Sequence, residues 1–265
     1  MTSTGSPQPQ VIQPQENYGD AFADVYDTWY ANVTNVEATA STLARLVAGG
    51  NALELGIGTG RIALPLAQKM PAGSTLVGID SSQAMLAICA EKMSSTSATK
   101  AGASIELQLG DMAYAMPEGP FSLIFCTFNT FFNLDSEEAQ RHCLREAARR
   151  LAPGGAVVLE VITTYEAPSD NKTPVVGLAE RPHVRSVGHV DPVNQIAEGA
   201  FHENLPDGTV RERPWRIRYA SPAQIDHMAN DAGLLCTDRW EDFTLAPFHA
   251  GSARQVCVLR RRVLT

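Results

Sequence analysis

The stretch ALELGIGTGR, residues 52–61, decides the fold. A short apolar run leads into three glycines within five positions, closed by an arginine. Such a run reads as a buried strand. Glycines directly after it let the backbone turn sharply and approach a ligand closely, because no Cβ stands in the way.

Strand and helix patterns alternate outward from this turn. RIALPLAQKM is helical, with Pro65 in its first turns, and STLVGID is a second strand. SSQAMLAICAEKMSS is a helix with Ser81 or Ser82 as N-cap. ASIELQLGD alternates as a third strand. FSLIFCTF is almost continuously apolar, which suits a central parallel strand covered on both faces. DSEEAQRHCLREAARRLAPGG opens on a capping Asp135 or Ser136 and ends at a Pro-Gly-Gly stop, and AVVLEVI follows as a further strand. Upstream, YGDAFADVYDTWYANV predicts an aromatic-rich helix or helix pair. VEATASTLARLVAGG predicts a helix ended by Gly49 and Gly50. The pattern is that of a doubly wound α/β fold, with a mostly parallel seven-stranded, Rossmann-like sheet.

The texture changes at Thr163. Residues 163–182 are Pro-rich and polar. HVRSVGHV, NQIAEGAFHEN and GTVRERPWRIRYA then read as three extended segments, the last two joined by a turn at LPDGT. This block predicts an antiparallel β insertion after the fifth strand, overhanging the ligand-binding edge. SPAQIDHMANDAGL is a helix capped by Ser221 with Pro222 at its first position. CTDRWEDFTL and RQVCVLRR complete the sheet as an antiparallel pair at its edge, joined by APFHAGSA. The expected division is a disordered tail at 1–17, N-terminal helices and a cofactor-binding core at 18–162, an insertion or substrate lid at 163–219, and a C-terminal helix and strands at 220–265.

Composition narrows the function. The 265 residues carry a formal net charge of −8 and no block of basic residues that would track a phosphate backbone, so no nucleic-acid partner is expected. No apolar run reaches the roughly 20 residues of a membrane helix. The first residues lack the layout of a signal peptide. The five cysteines, Cys89, Cys126, Cys143, Cys236 and Cys257, are scattered in neither a disulfide nor a zinc pattern. They are expected to be small core residues in a reducing cytoplasm. No metal site is expected.

The glycine turn excludes two ligand classes. A nucleoside-triphosphate loop requires a Gly-Lys pair, which is absent. A dinucleotide turn requires a third glycine where Arg61 stands. What remains is Glu54, Gly56, Gly58 and Gly60 in an E-x-G-x-G-x-G pattern.

In this pattern the chain resembles the class I S-adenosylmethionine-dependent methyltransferases. The resemblance extends to Asp80 ending VGID, to Asp111 and Met112 after LG, to Thr127, Phe128 and Asn129 ending the fourth strand, and to LAPGGAVVLEV. It spans about 18–162 and resumes more weakly in the last 45 residues. It is closest to small-molecule enzymes of the glycine and sugar N-methylating type, whose N-terminal helix carries Y-D-x-x-Y, here Tyr26, Asp27 and Tyr30.

The resemblance implies a cofactor, S-adenosylmethionine, and a small-molecule acceptor, with assembly as a homodimer allowed for. It implies that Glu54 fixes the turn or meets the methionine ammonium, and that Asp80 accepts the ribose hydroxyls. Gly110, Asp111 and Met112 would read adenine. Tyr18, Tyr26, Tyr30, Arg61, Ser81, Met85, Thr127 and Asn129 complete the expected cofactor set. Tyr26 and Tyr30 read equally as helix packing.

Methyl transfer asks for alignment, exclusion of water and, for some acceptors, a base. His183 and His189 are the expected bases. His202, Tyr165, Phe128 and Phe132 are expected to touch the acceptor, although an aromatic cluster after a strand also reads as core. His249 is a further candidate base. Trp215 and Trp240 read as packing, and His142 and His227 as exposed helix positions. The acceptor atom, N, O or C, stays open. An NAD-dependent oxidoreductase and an adenosylmethionine-binding protein without transfer are the rival functions.

Overall fold

The computed structural model describes residues 17–95, 102–163 and 183–262. Its main sheet has seven strands. These are β1 (Ala52–Leu55), β2 (Thr75–Asp80), β3 (Ser104–Leu109), β4 (Phe121–Cys126), β5 (Leu151–Ile162), β9 (Leu234–Trp240) and β10 (Arg254–Arg261). They lie in the order β3-β2-β1-β4-β5-β10-β9. The first five run parallel, while β10 pairs antiparallel to both β5 and β9. The order reverses between β1 and β4, and ligands of open α/β sheets bind outside the carboxyl ends of the strands at that point. The glycine turn leaves β1 at this place.

Apolar runs become central strands here because helices cover both faces. On one side α3 (Val36–Val47) and α4 (Ala63–Lys69) enclose Leu43, Leu66, Leu76 and Phe125. On the other, α6 (Glu137–Arg150) and α7 (Pro222–Asp231) enclose Leu144, Ile225, Leu159 and Phe131.

Side-chain caps start the helices. Ser136 accepts from Ala139 N at the head of α6. Ser221 and Gln224 form a reciprocal capping box on α7. Of Ser81 and Ser82, it is Ser82 whose Oγ accepts from Met85 N, at 3.1 Å, at the head of α5 (Gln83–Ser95).

Of the two N-terminal alternatives the chain forms the helix pair, α1 (Tyr18–Phe22) and α2 (Tyr26–Trp29). Elsewhere several boundaries differ from expectation. Helix α3 stops at Val47, and its cap residue Ala48, before the two glycines, already adopts the left-handed conformation. Helix α6 stops at Arg150, and LAPGG belongs to the span of β5, because Leu151 already pairs with Phe121. Of the last two strands only β9 is an edge. The nearly fully buried run of β10 lies between β5 and β9, which satisfies its backbone on both sides.

The insertion forms a separate antiparallel sheet, β6 (Val184–Asp191), β7 (Ile196–Asn204) and β8 (Val210–Arg218), in sequence order. Its strands alternate. Ala197, Phe201, Trp215 and Ile217 face the N-terminal helices and pack with Phe22 and Trp29. The opposite face carries His189, Glu198 and Arg216 in one cross-strand row and Arg185, His202 and Glu212 in another. Val187, Ala200 and Pro214 lie between these rows. The insertion therefore has an apolar side against the body and a polar side.

Candidate active site

A cleft of about 1000 Å³ opens beside the β1–β4 switch point. Strand ends and α1 line its inner part, and the small sheet lines its outer part.

At the inner end the glycine turn is held by the neighbouring strand. Gly56 N and Ile57 N both donate to the Ile79 carbonyl, and Gly58 N donates to Asp80 Oδ2 at 2.7 Å. Gly56, Gly58 and Gly60 all have positive φ. At Gly56 a Cβ would lie 2.2 Å from Thr130 Cγ2, whereas at Gly58 it would meet no atom within 4 Å. One glycine thus seals the turn against the chain after β4, and the other leaves backbone open to the cleft.

Asp80 Oδ1 accepts from Ser82 N at 2.9 Å, so each carboxylate oxygen is held by one backbone N–H and keeps a lone pair for a ligand donor. Burial pushes the Asp80 carboxyl above the usual aspartate range, reinforced by the Asp20 carboxylate and opposed by the N–H groups of Ser82 and Gly58. Glu54 is 2% exposed, and its Oε2 meets no hydrogen-bond partner. Burial pushes its carboxyl well up; the nearby Arg61 guanidinium lowers it and Asp80 raises it further. An orphaned buried carboxylate oxygen is costly to leave unmet and marks a place where a ligand donor or water belongs.

The helix pair is tethered to this turn. Thr59 Oγ1 donates to Asp27 Oδ1 at 2.7 Å, and Lys92 Nζ lies 2.6 Å from Asp27 Oδ2. Arg61 donates to the Tyr30 carbonyl at 2.6 Å, its guanidinium between the rings of Tyr26 (5.6 Å) and Phe128 (4.9 Å). Tyr18 donates to the Tyr30 hydroxyl at 3.1 Å. Asp111 Oδ1 accepts from Ala113 N and closes the turn after β3.

The expected residues separate into groups. Tyr18, Tyr26, Gly56, Gly58, Asp80, Ser81, Met85, Gly110, Asp111, Met112, His189 and His202 line the cleft. Glu54, Gly60, Arg61, Tyr30, Thr127 and Asn129 stand behind that lining. Asn129 Oδ1 accepts from Ile162 N at 2.6 Å, and its role seen here is to bind β4 to β5. Phe132 is fully buried among Phe131, Leu134 and Leu159, and Phe128 packs on Tyr30 and Arg61. Neither phenylalanine reaches the cleft. The left-handed residues Phe128 and Asn129 turn the chain after β4, and Phe132 enters the core. His183 stands at the start of β6, outside the lining, where its carbonyl accepts from Asn204 N. His249 also lies outside the lining, near Glu241 at 3.7 Å. Tyr165 lies outside the described residues.

Other lining residues were not anticipated: Asn17, Gly19, Thr130, Asn133, Leu134, Asp135, Glu198, Glu212 and Arg216. For the last three a signal existed. They share with His189 and His202 the polar alternation of the insertion strands.

An open glycine turn, an ionisable acceptor pair at Asp80, an orphaned Glu54 oxygen and a turn at Asp111 fit S-adenosylmethionine, which has no pyrophosphate to cradle. Fold and turn together define a class I adenosylmethionine-dependent methyltransferase, and the chain belongs to that family. A methyltransferase domain pattern matches residues 52–155. The chain is similar to the CcbJ methyltransferase of Streptomyces caelestis, at 32% identity and a TM-score of 0.80 over 95% of this chain and 100% of that one. It is 27% identical to the cypemycin N-terminal methyltransferase of a Streptomyces species, over 81% of this chain and 84% of that protein. It shares the fold of the amino pentose methyltransferase CalS10 of Micromonospora echinaspora, at 19% identity and a TM-score of 0.62 over 88% of this chain and 96% of that one. Among the described residues no helix is long and apolar enough to cross a membrane.

Proposed function

We propose that this methyltransferase acts on an amine nitrogen of a small specialised metabolite. The observation that carries this reading is the charge of the outer cleft. Asp135, Glu198 and Glu212 line the cleft, and its one lining guanidinium among the described residues, Arg216, is taken up by Glu198, which leaves the wall net acidic. A carboxylate-rich wall favours a cationic acceptor, such as an alkylammonium group, over a phenolate or an enolate. The cypemycin N-terminal methyltransferase, a relative over most of the chain, is named for an N-terminal acceptor, which supports the same atom.

When bound, the cofactor supplies a methyl already activated on a sulfonium. The chain's own residues supply the rest. In this proposal Asp80 holds the ribose, Asp111 and Met112 border the adenine, and Glu54 with Arg61 supports the turn and the helix pair from behind the lining at the amino-acid end. Residues 18–162 with 220–265 form the cofactor body, and 163–219 the acceptor side. The polar face of the small sheet excludes bulk water and orients the amine. An ammonium must lose a proton before its nitrogen can attack. His189 is the group placed to take it, because it lines the cleft and makes no side-chain hydrogen bond among the described residues. His202 is committed to Glu212, at 3.4 Å, and to Arg185, also at 3.4 Å. All five cysteines are free, which supports a reducing, cytoplasmic setting.

The test is turnover with adenosylmethionine on a panel of amino sugars, short peptides and phenols, each also offered with its amines acetylated. Gain of one methyl mass on free amines only, with release of adenosylhomocysteine, is the expected result. Methylation of phenols while amines stay untouched would overturn it. Tight binding with no methylated product across the panel points instead to a protein that holds the cofactor without transfer.

A further inference from the structure

Among the described residues Arg213 of β8 is the largest of the fully buried side chains, 1% exposed. Strand alternation puts it on the apolar face of the small sheet with Trp215, where an apolar residue would pack at lower cost. Instead all five of its N–H donors are used. Nε and Nη2 donate to Glu203 Oε2 at 3.0 and 2.7 Å, Nη1 and Nη2 to the two Asp24 oxygens at 2.6 and 3.0 Å, and Nη1 to the Ala21 carbonyl. Its guanidinium carbon lies 5.4 Å from the Trp29 ring. Glu203 belongs to the small sheet, whereas Ala21, Asp24 and Trp29 belong to the N-terminal helix pair and its linker. The fork therefore bolts one to the other.

The same helix pair is bolted to the cofactor side. Ser82 Oγ donates to Asp20 Oδ1 at 2.5 Å, and the Asn17 side chain donates to the Ser81 carbonyl at 3.2 Å. Gly19 approaches so closely that a Cβ would lie 2.4 Å from Ser82 Cβ. Ser82 N in turn holds Asp80. Contacts thus run from Asp80 through Ser82, Asp20 and α1 to Arg213, whose neighbours Glu212, Pro214 and Arg216 line the outer cleft.

We propose that Arg213 is a positioning residue that couples the two halves of the cleft, so that a ligand held at Asp80 also sets the conformation of β8. The coupling is reciprocal by linkage, so a set β8 also holds the cofactor more tightly. It does not depend on which atom accepts the methyl, since adenosylhomocysteine alone probes it. A fork that meets Asp24 with two nitrogens cannot be replaced by a lysine ammonium.

The test is amide hydrogen exchange of the full chain with and without saturating adenosylhomocysteine, in wild type, Arg213→Lys and Asp24→Asn. The second variant changes the half-exposed end of the pair and leaves the buried guanidinium held by Glu203. In wild type the ligand should slow exchange by about tenfold in both 17–24 and 210–218. In both variants slowing should persist around Asp80 and α1 and be lost from 210–218. Slowing of 210–218 in the variants equal to wild type, or none there in wild type, overturns the proposal. If Arg213→Lys fails to fold, Asp24→Asn decides. A merely structural arginine would lower the melting temperature and leave the pattern of ligand-induced slowing unchanged.

Discussion

Gly58 donates its backbone N–H to Asp80 across 2.7 Å, and so the glycine turn after β1 is shaped by the acid that ends β2. Asp80 holds the turn, and in the proposed function it also accepts from the ligand. Asp80→Ala is expected to weaken adenosylhomocysteine binding by more than about tenfold, as a buried donor set loses its acceptor. Calorimetry showing unchanged affinity would refute the placement.

The same carboxylate predicts a pH dependence. Burial and Asp20 raise its pKa above the usual aspartate range, and the ionised form is the one that accepts hydroxyl donors. Affinity should be full at neutral pH and begin to fall on acidification before ordinary carboxylates protonate. Asp80→Asn should flatten that fall. Titration of affinity against pH reads both.

Gly56 and Gly58 should fail in different ways. A methyl at Gly56 meets Thr130 at 2.2 Å, so Gly56→Ala should cost about 1–3 kcal/mol of stability. Gly58→Ala has open space and only its left-handed backbone to overcome, about 1 kcal/mol, yet it fills the ligand side of the turn. Thermal melts should therefore rank Gly56→Ala below Gly58→Ala, while Gly58→Ala binds adenosylhomocysteine at least about tenfold more weakly than wild type. The larger Gly58→Val should abolish binding.

Glu54 lets the ligand-free protein report on its own buried acid. Its folded pKa is raised, so its contribution to stability is complete below the usual glutamate range and is lost as pH rises through the raised value. Glu54→Gln removes that loss. The variant should gain about 1–3 kcal/mol over wild type at alkaline pH and little at acid pH. Asp80 and Glu160, also raised, keep part of the wild-type slope. Denaturant melts across pH that show parallel curves would contradict the assignment.

Among the histidines only His189 should matter for rate. His189→Asn is expected to lower kcat by about a hundredfold on an amine acceptor, with adenosylhomocysteine affinity unchanged. His183→Asn should be neutral, because that residue lies outside the cleft. If His189→Asn keeps full rate, proton removal by histidine should be abandoned.

Much of the cofactor half was legible because its signals are local. A glycine turn, an acid at a strand end and a serine cap each act within a few residues, as Ser136 and Ser221 show. The insertion was legible only as strands. Phe132 follows β4 closely in sequence, yet two consecutive left-handed residues turn it into the core. Arg213 was overlooked although a signal existed: an arginine that alternates in phase with Trp215 and Ile217 on a strand must find a partner once that face is buried.

By itself the sequence determined the alternation of strands and helices, the order in which the acids follow the glycine turn, and the strands of the insertion, since these depend on periodicity and on the short reach of caps and turns. Only the tertiary structure decided which of those residues meet. The tie of Asp24 to Arg213 spans 189 positions and that of Asp20 to Ser82 spans 62, and no local pattern encodes such a distance. Packing brings them together, because the apolar faces of the small sheet and the N-terminal helices must cover each other. That burial encloses the cleft and sets His189 on its wall while leaving His183 outside.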